Sequence, residues 1–207
     1  MVKTKSKTRE YVESLLIAAV IAFFVRSFII QAFKIPSSSM EPTLLIGDHL
    51  LVNRLSYVLK VPFTDMVLFN LGDPKRGDVV VFRYPVDRTK DFIKRVIAVS
   101  GDTVEIKDKA IYVNGKKAED SHAYFADQTI IPAYLSPKDN LPAFVVPKNS
   151  YFVMGDNRDR SLDSRFWGFV GKDDLVGRAL VLYFSWNGKA DSPLDFVRWP
   201  RIGRLIR

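Results

Sequence analysis

The sequence predicts a mostly β protein, in which an antiparallel-sheet domain with a small β insertion follows one N-terminal transmembrane helix. Three observations predict it. Short apolar runs are opened by Gly-Asp pairs, at Gly47-Asp48, Gly77-Asp78 and Gly101-Asp102. Helical periodicity is scarce after residue 34. One long apolar stretch near the N-terminus follows a cluster of basic residues.

That stretch comes first. Lys3, Lys5, Lys7 and Arg9 precede the apolar run Leu15 to Val25, which resumes after Arg26 and continues to Phe33. A helix from Tyr11 to Phe33 would be about 34 Å long, enough to cross a bilayer. Arg26 is tolerable near an end, where its side chain snorkels to the headgroups. The basic terminus predicts residues 1–10 in the cytoplasm, 11–34 as the anchor, and the rest outside. Gln31-Ala32-Phe33-Lys34 is a poor small-x-small cleavage site, so the anchor is expected to be retained.

Strands are expected at His49–Asn53, Val79–Pro85 and Phe92–Val99. Thr103–Lys107 and Ile111–Gly115 read as a hairpin of alternating sidedness. Residues 116–147, rich in Pro, Asp and Lys, read as irregular loops. Ser150–Met154 and Arg178–Ser185 are the last two expected strands.

Charge and composition exclude several classes. The net charge of +8 divides into +4 over residues 1–34, +4 over 196–207 and a neutral middle. Charge at the two ends suits a membrane surface better than a nucleic acid, which would need it across the body of the domain. There is no cysteine, hence no disulfide or thiolate nucleophile, and His49 and His122 are too few for a histidine metal cluster.

Three stretches hold residues with chemical potential. In Ile35-Pro36-Ser37-Ser38-Ser39-Met40-Glu41-Pro42-Thr43, three hydroxyls sit on backbone that the prolines keep out of helix. A polar linker would have the same composition. A serine nucleophile needs a base. His49 lies in an apolar run and His122 in the irregular stretch, and no triad pattern accompanies either. Lys94, in Ile93-Lys94-Arg95-Val96-Ile97, is the alternative: alternation sends Lys94 and Arg95 to opposite faces, so one is expected inward and the other in solvent. Burial against apolar walls would lower the cost of deprotonating the inward one. The third stretch, Gly155 to Gly168, mixes acids with arginines and lacks the spacing of a calcium loop. Arg165 is placed to pair with Asp163 or Asp156, and Ser161 to orient a nearby base.

Together these stretches, in this order behind a single anchor, resemble bacterial type I signal peptidases. These are membrane-anchored serine proteases that remove signal peptides from exported preproteins. The resemblance implies Ser39 as nucleophile, Lys94 as general base, and Ser37 with the Ser39 N–H as the oxyanion hole. It implies Ser161 as the residue orienting the lysine, Asp163 and Arg165 as a supporting ion pair, and Gly155 as a close-approach position. It further implies a catalytic β domain over 35–102 and 148–207 with an insertion at 103–147. No cofactor or metal is expected. The expected partners are secreted preproteins cut after small-x-small sites, and membrane lipid; no nucleic acid is expected. The implied location is the outer face of the bacterial cytoplasmic membrane. Ser38 stands where the family often has glycine, and His49 where it commonly has an aromatic. Trp186, Trp199, Phe184 and Phe196, with Arg198, Arg201, Arg204 and Arg207, are expected to form a membrane-contacting face.

Overall fold

A computed structural model describes residues 7–60, 64, 66–190 and 192–207; Lys3 and Lys5 of the expected basic terminus lie outside the described residues. The first helix, α1 (Lys7–Phe24), has no Gly or Pro to interrupt it. It stops well short of Phe33. A π-helical turn, Val25–Ile29, leads instead into a strand, β1 (Ile30–Lys34). The expected helix to Phe33 is corrected for a physical reason: Ile30–Lys34 pairs antiparallel with β2, and that partner strand settles a stretch whose local pattern does not decide between helix and strand. Among the described residues no helix is long and apolar enough to cross a membrane; α1 has 18 residues and includes Lys7, Arg9, Glu10 and Glu13.

Strands then follow in quick succession: β2 (Asp48–Asn53), β3 (Val58–Lys60), β4 (Val67–Asn70), β5 (Val79–Tyr84) and β6 (Asp87–Ala98). Next come β7 (Thr103–Lys107), β8 (Ala110–Val113), β9 (Lys116–Lys117), β10 (Leu141–Val145) and β11 (Ser150–Met154). One helical turn, α2 (Ser164–Trp167), precedes β12 (Val170–Gly171) and β13 (Leu175–Ser185). Seven strands form an antiparallel sheet in the order β1-β2-β13-β5-β6-β11-β12, four form a second sheet in the order β10-β7-β8-β9, and β3 pairs with β4 alone. The β3–β4 hairpin has no counterpart in the sequence reading. Residues 116–147 are not wholly irregular either, since β9 and β10 lie within them and join the second sheet.

The large sheet is covered on both faces, which explains the unbroken apolar run in β5. Val79 and Val81 pack into one core with Met40, Leu44, Leu50, Val52 and Leu182. Val80 and Phe82, pointing the other way, join Tyr57, Val96, Val153 and Leu175. A third core, between the second sheet and β11, gathers Val104, Ile106, Ile111, Val113, Phe152 and Met154. These three cores hold the Ile35–Leu44 segment, β6 and β11 together.

Candidate active site

The residues Ser37 to Ser39 lie in the irregular segment between β1 and β2. Ile35, Met40 and Leu44, all buried, pin that segment into the first core on either side of the serines. The Ser39 hydroxyl is thereby fixed in position, 8 % exposed. Lys94 comes from the middle of β6, opposite Val80 of β5, and is 4 % exposed. Its Nζ lies 2.6 Å from Ser39 Oγ and 5.5 Å from the centre of the Phe92 ring. Burial pushes the Lys94 ammonium down to about 8, against the opposing pull of Asp163 and Asp156 and with a smaller downward push from Arg165. The Ser37 hydroxyl is 3.5 Å from that of Ser39. No hydrogen bond from the Ser39 N–H is formed among the described residues.

Arg95 does not reach solvent, contrary to the expectation from strand alternation. Because β6 lies inside the sheet with cores on both faces, Arg95 is buried too, at 3 % exposed. Its charge is met by Asp156, which accepts from Nε at 2.8 Å and Nη2 at 2.7 Å. The remaining guanidinium nitrogen donates to the backbone oxygens of Gly77 and Arg207. Arg165 pairs with Asp163 rather than Asp156: Nε donates to Oδ1 at 2.8 Å and Nη2 to Oδ2 at 2.9 Å. Both pairs are nearly dry, so removing one member of either would strand a buried charge.

Gly155 sits where three chains converge. Its N–H donates to Asp163 Oδ2 at 3.1 Å and its carbonyl accepts from Arg158 Nε at 3.1 Å. A β-carbon added there would lie 2.3 Å from both Ser161 Oγ and the Ser39 carbonyl oxygen. Ser161 is therefore brought against the Ser37–Ser39 segment, but its hydroxyl is buried and has no hydrogen-bond partner. It does not contact Lys94 through a hydrogen bond in this structure.

Two residues in this network had no role from the sequence. Asn157 donates from its backbone N–H to the Ser39 carbonyl and from Nδ2 to the Ser38 carbonyl, both at 3.2 Å. Thr43 Oγ1 donates to Asp156 Oδ2 at 2.6 Å, so the Arg95–Asp156 pair also anchors the end of the serine-bearing segment. Thr43 and Asn157 lie within the quoted motifs, yet only tertiary contact reveals which partner each serves. His49 stays outside the site, packed edge-on against the rings of Tyr183 and Phe184. His122 is exposed. Among the described residues no group of three or more His, Cys, Asp or Glu side chains is placed to hold a metal ion. Of the expected aromatic face, Trp199 is 67 % exposed and Trp186, 42 % exposed, stacks on Phe196 with ring centres 5.1 Å apart. Phe184 is half-buried.

Chemically, this is a hydroxyl beside an amine held in a dry, apolar wall. Such an arrangement supports nucleophilic attack with proton transfer and needs no further group to activate the hydroxyl.

The family model described as "Signal peptidase, peptidase S26" matches residues 8–186. Signal peptidase I of Pseudomonas aeruginosa is 36 % identical, with the alignment covering 86 % of this chain and 72 % of the relative. Signal peptidase I of Aquifex aeolicus is 37 % identical, covering 92 % of this chain and 91 % of the relative. The crystal structure of a signal peptidase I from Enterococcus faecalis V583 is similar at 29 % identity and a TM-score of 0.41, covering 52 % of this chain and 97 % of that one.

Proposed function

Because this chain belongs to the signal peptidase, peptidase S26, family, we propose that Ser39 is its nucleophile and Lys94 its general base. The enzyme is a serine protease of the signal peptidase class, which cleaves signal peptides from preproteins. The 2.6 Å contact between Lys94 Nζ and Ser39 Oγ inside an apolar wall carries the assignment of roles. Neutral Lys94 accepts the Ser39 hydroxyl proton as Oγ attacks the scissile carbonyl. The Ser39 N–H and the Ser37 hydroxyl stabilise the oxyanion. The resulting ammonium protonates the leaving amine, and Lys94 then takes a proton from the water that hydrolyses the acyl-enzyme. Ser161, buried and unpartnered, offers its oxygen to the ammonium while the proton resides there. Asp163 with Arg165 fixes the loop that carries Ser161.

Anchoring is part of the same reading. Leu15, Leu16, Ile17, Val20, Ile21, Phe23 and Phe24 of α1 are all exposed, so its apolar surface runs round the helix instead of facing a core. A bilayer is the medium that such a surface fits, with the π-helical turn and Arg26 at its outer margin. Trp186 and Trp199, beside Arg198, are suited to the headgroup layer. Ser39 then works close to the membrane, where a signal peptide's cleavage site emerges.

The test is cleavage of a purified preprotein carrying an Ala-x-Ala site by detergent-solubilised enzyme. A single cut after the second alanine, absent with Ser39→Ala, is expected; cutting that survives in Ser39→Ala would sink the assignment.

A pH dependence follows from the same geometry. With Lys94 titrating at about 8, kcat/KM should rise roughly tenfold per unit below pH 8 and level off above it. The sign is that of a base active when unprotonated. A profile flat from pH 6 to 9 would contradict the role of Lys94.

A further inference from the structure

The stretch that the sequence left without a role, between β9 and β10, is bonded at Asp120, Tyr124, Asp127 and Lys138 to the loop that carries Gly155, Ser161 and Asp163. Asp120 receives both terminal nitrogens of Arg158, one of them at 2.7 Å, and the Arg158 side chain is only 1 % exposed. The Tyr124 N–H donates to the Asp156 carbonyl at 2.7 Å, and its carbonyl accepts from the Arg158 N–H at 2.9 Å. The Asp127 N–H donates to Asp159 Oδ2 at 2.8 Å. Lys138 Nζ lies 2.9 Å and Lys109 Nζ 3.1 Å from the Asp159 carboxylate. Finally, Arg165 Nη1 donates to the Lys138 carbonyl at 2.9 Å.

The loop needs such support. Apart from a single bridge between Asn157 and Tyr124, residues 155–163 pair with no strand, yet Asp156, Asn157, Arg158 and Asp163 are buried to within 1 %. Ordering it costs backbone entropy that its own few apolar contacts do not offset. The partners on 120–138 make up the difference, and no hydrogen bond joins them to Ser39 or Lys94 among the described residues.

We propose that the Asp120–Lys138 segment is a brace for the 155–165 loop, with Asp120 and Lys138 as positioning residues that act on turnover through Arg158, Asp159 and Arg165. The proposal rests on the Ser39–Lys94 reading. Losing the brace should loosen Ser161 and Asp163 against the nucleophile segment and so lower kcat with little change in KM. It should also change the field at Lys94. The charges facing that amine are Asp163, Asp156 and Arg165, with Arg95 behind Asp156. Arg165 is the cation tied directly to the brace. If it swings out, its downward push is lost and Asp163 is less neutralised, so both changes make Lys94 easier to protonate.

The experiment measures kcat, KM and the pH profile of full-length Asp120→Ala, Lys138→Ala and Asp120→Glu against the preprotein, with wild type and Ser39→Ala alongside. Thermal unfolding is followed for each. Asp120→Ala should lose at least about tenfold in kcat with KM within about twofold, and the acidic limb should move to higher pH. Asp120→Glu should recover much of the loss. Lys138→Ala, which leaves Lys109 on Asp159 and the Lys138 carbonyl on Arg165, is the milder variant and decides the matter if Asp120→Ala fails to fold; it should lose a few-fold in kcat with a smaller pH shift in the same direction. Unchanged kcat in the folded variants overturns the brace, as does a change in KM alone, which would make the segment a substrate surface. A kcat loss with an unmoved acidic limb also overturns it, because lowered stability would then account for the loss. Activity surviving in Ser39→Ala overturns the Ser39–Lys94 reading and the brace with it. Dead Ser39→Ala with unaffected brace variants overturns the brace alone.

Discussion

Replacing Lys94 by methionine should abolish cleavage, by about 10³-fold or more, and at the same time make the protein more stable at neutral pH. On the proposed roles, the activity loss follows from removing the group that takes the Ser39 proton, a role worth about 10²–10⁴ in rate. The gain in stability follows from linkage. Burial lowers Lys94 from the ordinary lysine value of 10.5 to about 8, so the folded protein holds this proton less tightly than the unfolded chain. Above pH 10.5 both states are neutral there and nothing is lost. As the pH falls from 10.5 to 8 the unfolded state alone gains the proton, and below pH 8 the full cost, about 3 kcal/mol, is present. Methionine fills a similar volume without a charge. The acids near Lys94 keep partners, since Asp163 retains Arg165 and Asp156 retains Arg95. At pH 7 the unfolding temperature should therefore rise by roughly 6–12 °C, and the difference should shrink above pH 9. Lys94→Arg should be inactive too, because a guanidinium does not supply a neutral base. A Lys94→Met protein that melts lower than wild type at pH 7 would show that the amine is stabilising where it sits, against the burial argument.

Gly155→Ala should cost about 100-fold in kcat with a much smaller change in KM. The new methyl group would lie 2.3 Å from the Ser39 carbonyl oxygen and from Ser161 Oγ, and 2.6 Å from Ser161 Cβ. A side-chain hydroxyl can rotate away, but a carbonyl oxygen that already accepts from the Asn157 N–H moves only with its backbone. Gly155 has no room to retreat, since its N–H is held by Asp163 and its carbonyl by Arg158. The nucleophile must shift by an appreciable fraction of an ångström, and displacements of about 1 Å cost about 10²-fold. Overpacking should also lower stability by about 1–3 kcal/mol. Combining Gly155→Ala with Ser161→Gly removes the side-chain collision and leaves the backbone one, so kcat should stay low. Full recovery in the double variant would place the conflict at Ser161 alone and would also contradict the role proposed for the Ser161 hydroxyl.

How much of this was legible in the sequence differs from residue to residue. Val79–Tyr84, Thr103–Lys107 and Ser150–Met154 were readable because their β-branched and aromatic runs lie between turn signals. Ile30–Lys34 was not, because an apolar run beside a helix satisfies either period until a partner strand is available. The β3–β4 hairpin is short, and its Val67-Leu68-Phe69-Asn70 run is exposed at three of four positions, so no burial pattern marked it. Arg95 was expected in solvent because alternation says only that neighbouring side chains oppose each other. It cannot say that both faces of the sheet are covered.

The sequence by itself determined the predominance of strands, the placing of excess charge at the two ends, and the presence of a serine segment, a lysine on an apolar strand and a mixed-charge loop. Those are properties of local pattern and composition, and they survive without knowledge of what touches what. Only the tertiary structure decided that Lys94 Nζ stands 2.6 Å from Ser39 Oγ across 55 residues of chain, and that Arg95 takes Asp156 while Arg165 takes Asp163. It alone decided that residues 120–138 fold against the loop behind the site. Ion pairing and proton affinity depend on distance and on the exclusion of water, and both are set by how three cores close around the chain.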